Sequence, residues 1–223
     1  MFILPLLGAC TGPFSTLDAA GPAATQVAWV WWAMFWFATL VWLGVIGLWI
    51  AAVKRRPHEQ TAAARQRLQT RWIYWGGLAL PLASITVLLF FGIPVGHSML
   101  PLPVADGEVL RIDVTGHQWR WEVRYPDSGI ELENELHIPT GTPIDLHLTS
   151  NDVIHSFWVP RLGGKVDMLP ARTNVLRLEA DAPGIYRGQC AEFCGLGHAH
   201  MKFTVTAHAP DDFATWLTET AND

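Results

Sequence analysis

The chain has 223 residues, of which 50% are hydrophobic and 16% charged, and its formal net charge is −5. So small a share of charge is unlike a soluble globular protein and fits one partly embedded in a membrane, while the negative balance excludes a basic nucleic-acid binder. The length covers one compact domain plus a membrane anchor.

Residues 1–26 form an N-terminal segment that opens Met-Phe-Ile-Leu-Pro-Leu-Leu-Gly-Ala-Cys. Leu7-Gly8-Ala9-Cys10 resembles a bacterial lipobox, in which Cys10 would become the lipidated first residue of the mature protein. The apolar run before it is short and lacks a basic start. The competing reading is a free cysteine near a chain end. Residues 11–26 are rich in Gly, Pro and Ala and read as an exposed lead-in.

Residues 27–53 and 72–95 are apolar runs without a charged residue. Each is longer than the ~20 residues that cross a bilayer core as a helix, so residues 27–95 predict a transmembrane helical hairpin in the lipid bilayer. Trp29, Trp31, Trp32 and Trp36 crowd one end of the first run, and Trp72, Tyr74 and Trp75 open the second; such aromatics favour the headgroup level. Pro81 and Pro94 are expected to kink the second helix. Residues 1–53 contain no Lys or Arg, whereas the intervening loop, 54–71, carries Lys54, Arg55, Arg56, Arg65, Arg67 and Arg71. By the positive-inside rule that loop is cytoplasmic, and both termini lie on the other side.

Residues 96–223 read as one all-β domain. Leu110, Ile112 and Val114 alternate with polar residues, as do Trp119, Trp121, Val123 and Tyr125; Ile144, Leu146 and Leu148; Val175, Leu176 and Leu178; and Phe203 and Val205. Period-two alternation broken by Gly and Pro predicts roughly eight strands of a Greek-key sandwich or barrel. Residues 210–218 predict a short helix with Asp211 and Asp212 near its positive end. This domain holds nine Lys and Arg against eighteen Asp and Glu, an acidic balance that suits a basic protein partner. No Cys-x-x-Cys-His occurs, so no covalent c-type haem is expected.

Within it Cys190, Cys194, His198 and Met201 follow the spacing Cys-x3-Cys-x3-His-x2-Met. Thiolates with imidazole select copper or zinc over oxygen-loving cations, and the thioether favours copper. Two cysteines depart from the mononuclear blue-copper set of one thiolate, two imidazoles and an axial Met. A doubled thiolate can bridge two copper ions, which points to electron transfer. A Cys190–Cys194 disulfide and a zinc site are the competing readings.

Residues 188–201 closely resemble the dinuclear copper A loop of cytochrome c oxidase subunit II. Residues 150–160, Ser-Asn-Asp-Val-Ile-His-Ser-Phe-Trp-Val-Pro, resemble the family segment that supplies a first imidazole, here His155. Gly116-His117-Gln118-Trp119-Arg120-Trp121 resembles the family's aromatic strand, and residues 164–172 fit as well. The resemblance implies two N-terminal transmembrane helices followed by a cupredoxin domain on the periplasmic side of a bacterial inner membrane. It implies that Cys190 and Cys194 bridge both ions of a dinuclear copper A centre, that His155 and Met201 complete one copper, and that His198 and the Glu192 carbonyl complete the other. It implies a magnesium or manganese ion shared with subunit I through the Glu192 side chain. Trp119 would be the residue through which electrons arrive; from spacing alone Trp121, two residues along the strand, competes with it. Asp152 is expected to orient His155, while His58, His97, His117, His137, His147, His200 and His208 read as surface or hydrogen-bonded residues.

The implied activity is that of a respiratory oxidoreductase subunit. It would accept electrons from a soluble or membrane-attached cytochrome c and pass them to haem in subunit I, where oxygen is reduced to water with proton pumping. Subunit I and other oxidase subunits are the implied partners, and Glu131, Glu133, Glu135, Asp127 and Asp167 are docking candidates. Quinol-oxidase subunits of the superfamily lack the copper ligands. A membrane-tethered copper-storage or delivery protein is the alternative from a different class. Many family members carry a Glu just before the second span where this chain has Gln69, so no proton uptake is assigned to it.

Overall fold

The computed structural model describes residues 10–55, 61–103 and 109–222; Arg56, His58 and the residues before Cys10 lie outside them. The chain divides into two compact units, one of Trp29–His97 and one that combines the residues up to Ala28 with those from Ser98 onward.

Helix α1, Pro22–Lys54, starts on a proline and ends on a lysine. Proline suits a first turn, whose N–H groups are unpaired in any case, and a cation suits the negative end of the helix. Helix α2, Ala62–Trp72, is capped by the Thr61 hydroxyl, which accepts from the Ala64 N–H at 3.3 Å. It runs on through a π-helical stretch, Ile73–Ala79, into α3, Leu80–Ser98. The widened turns end just before Pro81, whose ring would otherwise meet the carbonyl one turn back. Much of the expected loop 54–71 is therefore the exposed first part of a helix that continues into the second apolar run. Both long helices have the length and composition of membrane spans, and within this unit Trp29 meets Phe91 edge to face, with ring centroids 6.4 Å apart.

The other unit is a sandwich of two five-stranded sheets. Its strands are β1 (Leu110–His117), β2 (Arg120–Arg124), β3 (Glu131–Glu133), β4 (Glu135–Pro139), β5 (Ile144–Ser150), β6 (His155–Trp158), β7 (Val166–Met168), β8 (Asn174–Leu178), β9 (Gly184–Cys190) and β10 (Lys202–His208), and α4 (Pro210–Thr220) follows them. One sheet has the order β3-β2-β1-β5-β8 and the other β4-β10-β9-β6-β7. The pairs β1–β5 and β4–β10 are parallel, and the other pairs are antiparallel. In β1, β5 and β10 every second residue is buried, because a strand with one face on the core turns alternate side chains inward.

Trp121 sits at the centre of the core and is fully buried. Its ring packs against Phe157 at 5.6 Å, Phe203 at 5.2 Å and His155 at 6.1 Å between centroids. Burying each such side chain contributes roughly 1.5–3 kcal/mol, and this aromatic cluster lies against His155.

The N-terminal lead-in differs from its expected exposed state. The Ala20 N–H donates to the Arg161 carbonyl at 2.7 Å, and the Asp181 N–H donates to the Ala20 carbonyl at 2.9 Å. The Arg161 guanidinium donates to the Asp18 carbonyl at 2.8 Å. These bonds lay the segment along the sandwich. Its Gly and Pro content signalled irregular backbone, but irregular backbone that finds partners packs as well as a strand does.

Candidate metal centre

Two segments meet at one end of the sandwich. Strand β9 ends at Cys190 and gives way to a loop that carries Cys194, then a single 3₁₀ turn, His198–His200, then Met201 before β10. His155 opens β6, which pairs with β9 through Phe157 and Cys190. The pairing brings a residue 35 positions upstream against the loop.

The donors converge. The Cys190 and Cys194 sulfurs are 3.8 Å apart. Cys190 Sγ lies 3.9 Å from His155 Nδ1 and 3.2 Å from the Glu192 carbonyl oxygen. Cys194 Sγ lies 3.6 Å from His198 Nδ1 and 3.7 Å from Met201 Sδ. Both thiols are free, and they are buried together with His155 and Met201. The ligand atoms of His155, Cys190 and Cys194 all lie within 4.8 Å of one another, an arrangement able to hold a metal ion. A metal–sulfur bond is about 2.3 Å, so two sulfurs at this separation can share a metal from either side. The donor set therefore fits a soft metal held between two thiolates.

The outer contacts fix the donors. His155 Nε2 donates to Asp152 Oδ1 at 2.8 Å, which leaves Nδ1 facing the thiols. Asp152 Oδ2 accepts from the Gln118 backbone N–H at 2.7 Å. Burial works against a charged His155, but the Cys190 thiolate and Asp152 outweigh it and raise its pKa. Burial likewise opposes a Cys190 thiolate, yet His155 and the Ser156 and Glu192 backbone groups pull that thiol well below its usual range. Burial and the neighbouring Cys190 push Cys194 up.

Trp119 precedes β2 rather than lying in it, so strand alternation does not put it on the same side as Trp121. Trp119 is 41% exposed while Trp121 is fully buried. The spacing left them as equal competitors; burial separates an interior packing residue from a surface indole. The Trp119 Nε1–H donates to the Cys194 carbonyl at 3.2 Å, and the ring lies on the loop at Gly197, where a Cβ would run into it. Phe193 and Leu196, on the same loop, are 73% and 97% exposed. The Glu192 side chain is exposed. His200 is exposed in the 3₁₀ turn. Sequence reasoning missed Gln118, whose side-chain Nε2 donates to the Cys194 carbonyl at 2.8 Å. Its neighbourhood drew notice only for the tryptophan beside it.

A β-sandwich that gathers two cysteines, two histidines and a methionine at one end, joined to two long apolar helices, defines a membrane-anchored protein of the cupredoxin class. The family described as cytochrome c oxidase subunit II, periplasmic domain, matches residues 128–208. Cytochrome c oxidase subunit 2 of Alkalihalophilus pseudofirmus is 31% identical over 229 residues, covering 97% of this chain and 65% of that relative. Ubiquinol oxidase subunit 2 of Acetobacter aceti is 34% identical over 147 residues, covering 64% of this chain and 47% of that relative. The crystal structure of the periplasmic domain of subunit II of cytochrome oxidase from Bradyrhizobium japonicum is similar with a TM-score of 0.50 and 33% identity, over 54% of this chain and 96% of that one. The chain belongs to the cytochrome c oxidase subunit II family. It spans less than two thirds of the length of the two curated relatives.

Proposed function

We propose that this chain is the electron-transferring subunit II of a bacterial haem–copper cytochrome c oxidase. It accepts electrons from a cytochrome c at a dinuclear copper A centre and delivers them to haem in subunit I, for reduction of oxygen to water coupled to proton pumping. The observation that carries this reading is the convergence of two thiols, two imidazoles and a thioether at 3.6–3.9 Å, beneath an exposed indole bonded to the same loop.

Cys190 and Cys194 would bridge the two coppers, His155 and Met201 would complete one, and His198 and the Glu192 carbonyl the other. Two coppers bound by shared thiolates supply a one-electron store whose charge is spread over several atoms. The chain's own residues keep that store rigid and dry. Asp152 holds the His155 ring in one tautomer, the aromatic core under His155 resists movement, and burial of both thiols excludes water. The exposed edge of Trp119 offers a surface to the donor, and its N–H leads to the Cys194 carbonyl. The exposed Glu192 carboxylate would reach a magnesium or manganese ion shared with subunit I.

In this reading α1 and the helix that ends in α3 span the inner membrane, the basic segment between them is cytoplasmic, and both termini and the copper domain are periplasmic. Cys10 would be the lipidated mature N-terminus.

The likeness to a ubiquinol oxidase subunit favours a second reading, in which quinol is the donor and the chain carries no copper. Such a protein has no use for five converged soft donors. A membrane-tethered copper-storage or delivery protein would use the donors but not the indole. The deciding experiment is copper analysis and electron paramagnetic resonance on the purified full-length chain. Two coppers per chain, with hyperfine splitting from one electron shared equally by two nuclei, are expected. A single copper, or none with the thiols reduced, rejects the assignment.

A further inference from the structure

Gln118 is exposed, carries no charge and ligates nothing, yet it touches both halves of the donor cluster. Its backbone N–H donates to Asp152 Oδ2 at 2.7 Å, and the other oxygen of that carboxylate accepts from His155 at 2.8 Å. Its side-chain Nε2 donates to the Cys194 carbonyl at 2.8 Å. One residue thus ties the segment that carries His155 to the loop that carries both thiols.

The loop needs such a tie at that carbonyl. The peptide joining Cys194 to Gly195 is followed by a φ of +115° at Gly195. This conformation is open to glycine and closed to most other residues, so the local torsions do little to fix the peptide plane. Turning that plane, by opposite changes of ψ at Cys194 and φ at Gly195, takes the carbonyl away from both of its side-chain donors and unties the loop that carries the thiols. Among the described residues, the donors to this carbonyl are two side chains, Gln118 and Trp119, and the Gln118 bond is the shorter, 2.8 against 3.2 Å.

We propose that Gln118 is a positioning residue whose side-chain amide pins the Cys194–Gly195 peptide and so sets the register between the two thiols and His155. In a metal-binding protein this pre-organises the donors before the metal arrives and holds their geometry afterwards. The consequence for copper rests on the reading given above; the consequence for the loop does not.

The test is hydrogen exchange on the metal-free, reduced full-length chain, comparing wild type with Gln118→Met, which keeps the length and apolar stem and removes the donor. Gln118→Asn, too short to reach the carbonyl, is the second variant. Amides of residues 191–198 are expected to exchange on the order of fivefold faster in both variants, the effect of losing one hydrogen bond of ordinary net strength, while those of β1, β5 and β10 are unchanged. Equal exchange in wild type and variants overturns the assignment, and so does an acceleration spread evenly over the sandwich. With copper added, faster metal release and altered copper hyperfine splitting are expected in the variants. If wild type fails to take up copper, the copper reading falls, and the exchange comparison still decides the role of Gln118.

Discussion

At the scale of single residues, the cysteine loop and the indole are shaped to each other. A Cβ at Gly197 would meet the Trp119 ring, so Gly197→Ala must push the indole off the loop without touching a donor atom. Cytochrome c oxidation is expected to slow by about tenfold or more, since misplacement by an ångström costs on the order of a hundredfold where positioning is critical. Copper content should stay at the wild-type value; stopped-flow oxidation and metal analysis of one preparation check both. Asp152 acts from behind His155. Asp152→Ala frees the His155 ring to turn and should weaken copper affinity by roughly 10–100-fold, as loss of an outer partner of a ligating histidine does; competition with a chelator of known affinity measures it. Cys190, Cys194, His198 and Met201, which the structure brings together, stood out in the sequence through their spacing along one loop, whereas His155 and Trp119 stood out only through their likeness to family segments. Gln118 did not stand out, because a hydrogen bond to a carbonyl 76 positions away leaves no pattern in the chain.

At the scale of elements, legibility followed burial geometry. Strands β1, β2, β5, β8 and β10 were visible because each buries one face and alternates. Strand β6 is buried at His155, Ser156 and Phe157 in succession, so it has no period to find. Strands β3 and β7 are three residues each, too short to show one, and β9 leaves Ile185 on its exposed side. The lone helix of the sandwich, α4, was clear from its acidic first turn, and it ended two residues beyond its expected limit. Its docking was not foreseeable. Trp216 of α4 stacks on His137 of β4 with centroids 4.2 Å apart, and His137 Nδ1 is 2.8 Å from His208 Nε2 of β10. One ring must donate and the other accept, so protonating both breaks the bond. Burial and His208 lower the His137 pKa, against a weaker opposing pull from Glu135, 4.0 Å away. The folded state therefore binds this proton less readily than the unfolded chain. The contribution to stability is whole above the unfolded value of 6.5 and is lost as pH falls through the lower folded value. Thermal unfolding between about pH 8 and 5, the span in which a histidine titrates, should show a falling midpoint in wild type and a flatter profile in His137→Gln. Parallel profiles would refute the link.

At the scale of the whole molecule, the distribution of charge says more than its total. Cations gather between the apolar helices, and the domain from residue 96 onward has nine acidic residues more than basic ones. The sequence singled out Glu131, Glu133, Glu135, Asp127 and Asp167 as docking candidates, but three of these have a Lys or Arg partner. Arg124 lies 3.8 Å from Glu131, Arg120 lies 3.4 Å from Glu133, and Lys165 lies 3.3 Å from Asp167. Paired surface charges project little field. On the proposed function, attraction for a basic cytochrome c would come from the net excess of the domain, with Glu135 and Asp127, which have no Lys or Arg partner in an ion pair among the described residues, contributing to it. Two expectations separate these contributions. The second-order rate of cytochrome c oxidation should fall by about tenfold or more as ionic strength rises from low to physiological, because steered association weakens as the screening length shortens to ~8 Å. Glu135→Gln with Asp127→Asn should reduce the low-salt rate and flatten the salt slope, whereas Glu133→Gln, which removes a carboxylate already offset by Arg120, should do so less than Glu135→Gln alone. A rate indifferent to salt would mean that the exposed Trp119, Phe193 and Leu196 side chains recruit the donor by apolar contact, and that the acidic balance serves solubility instead.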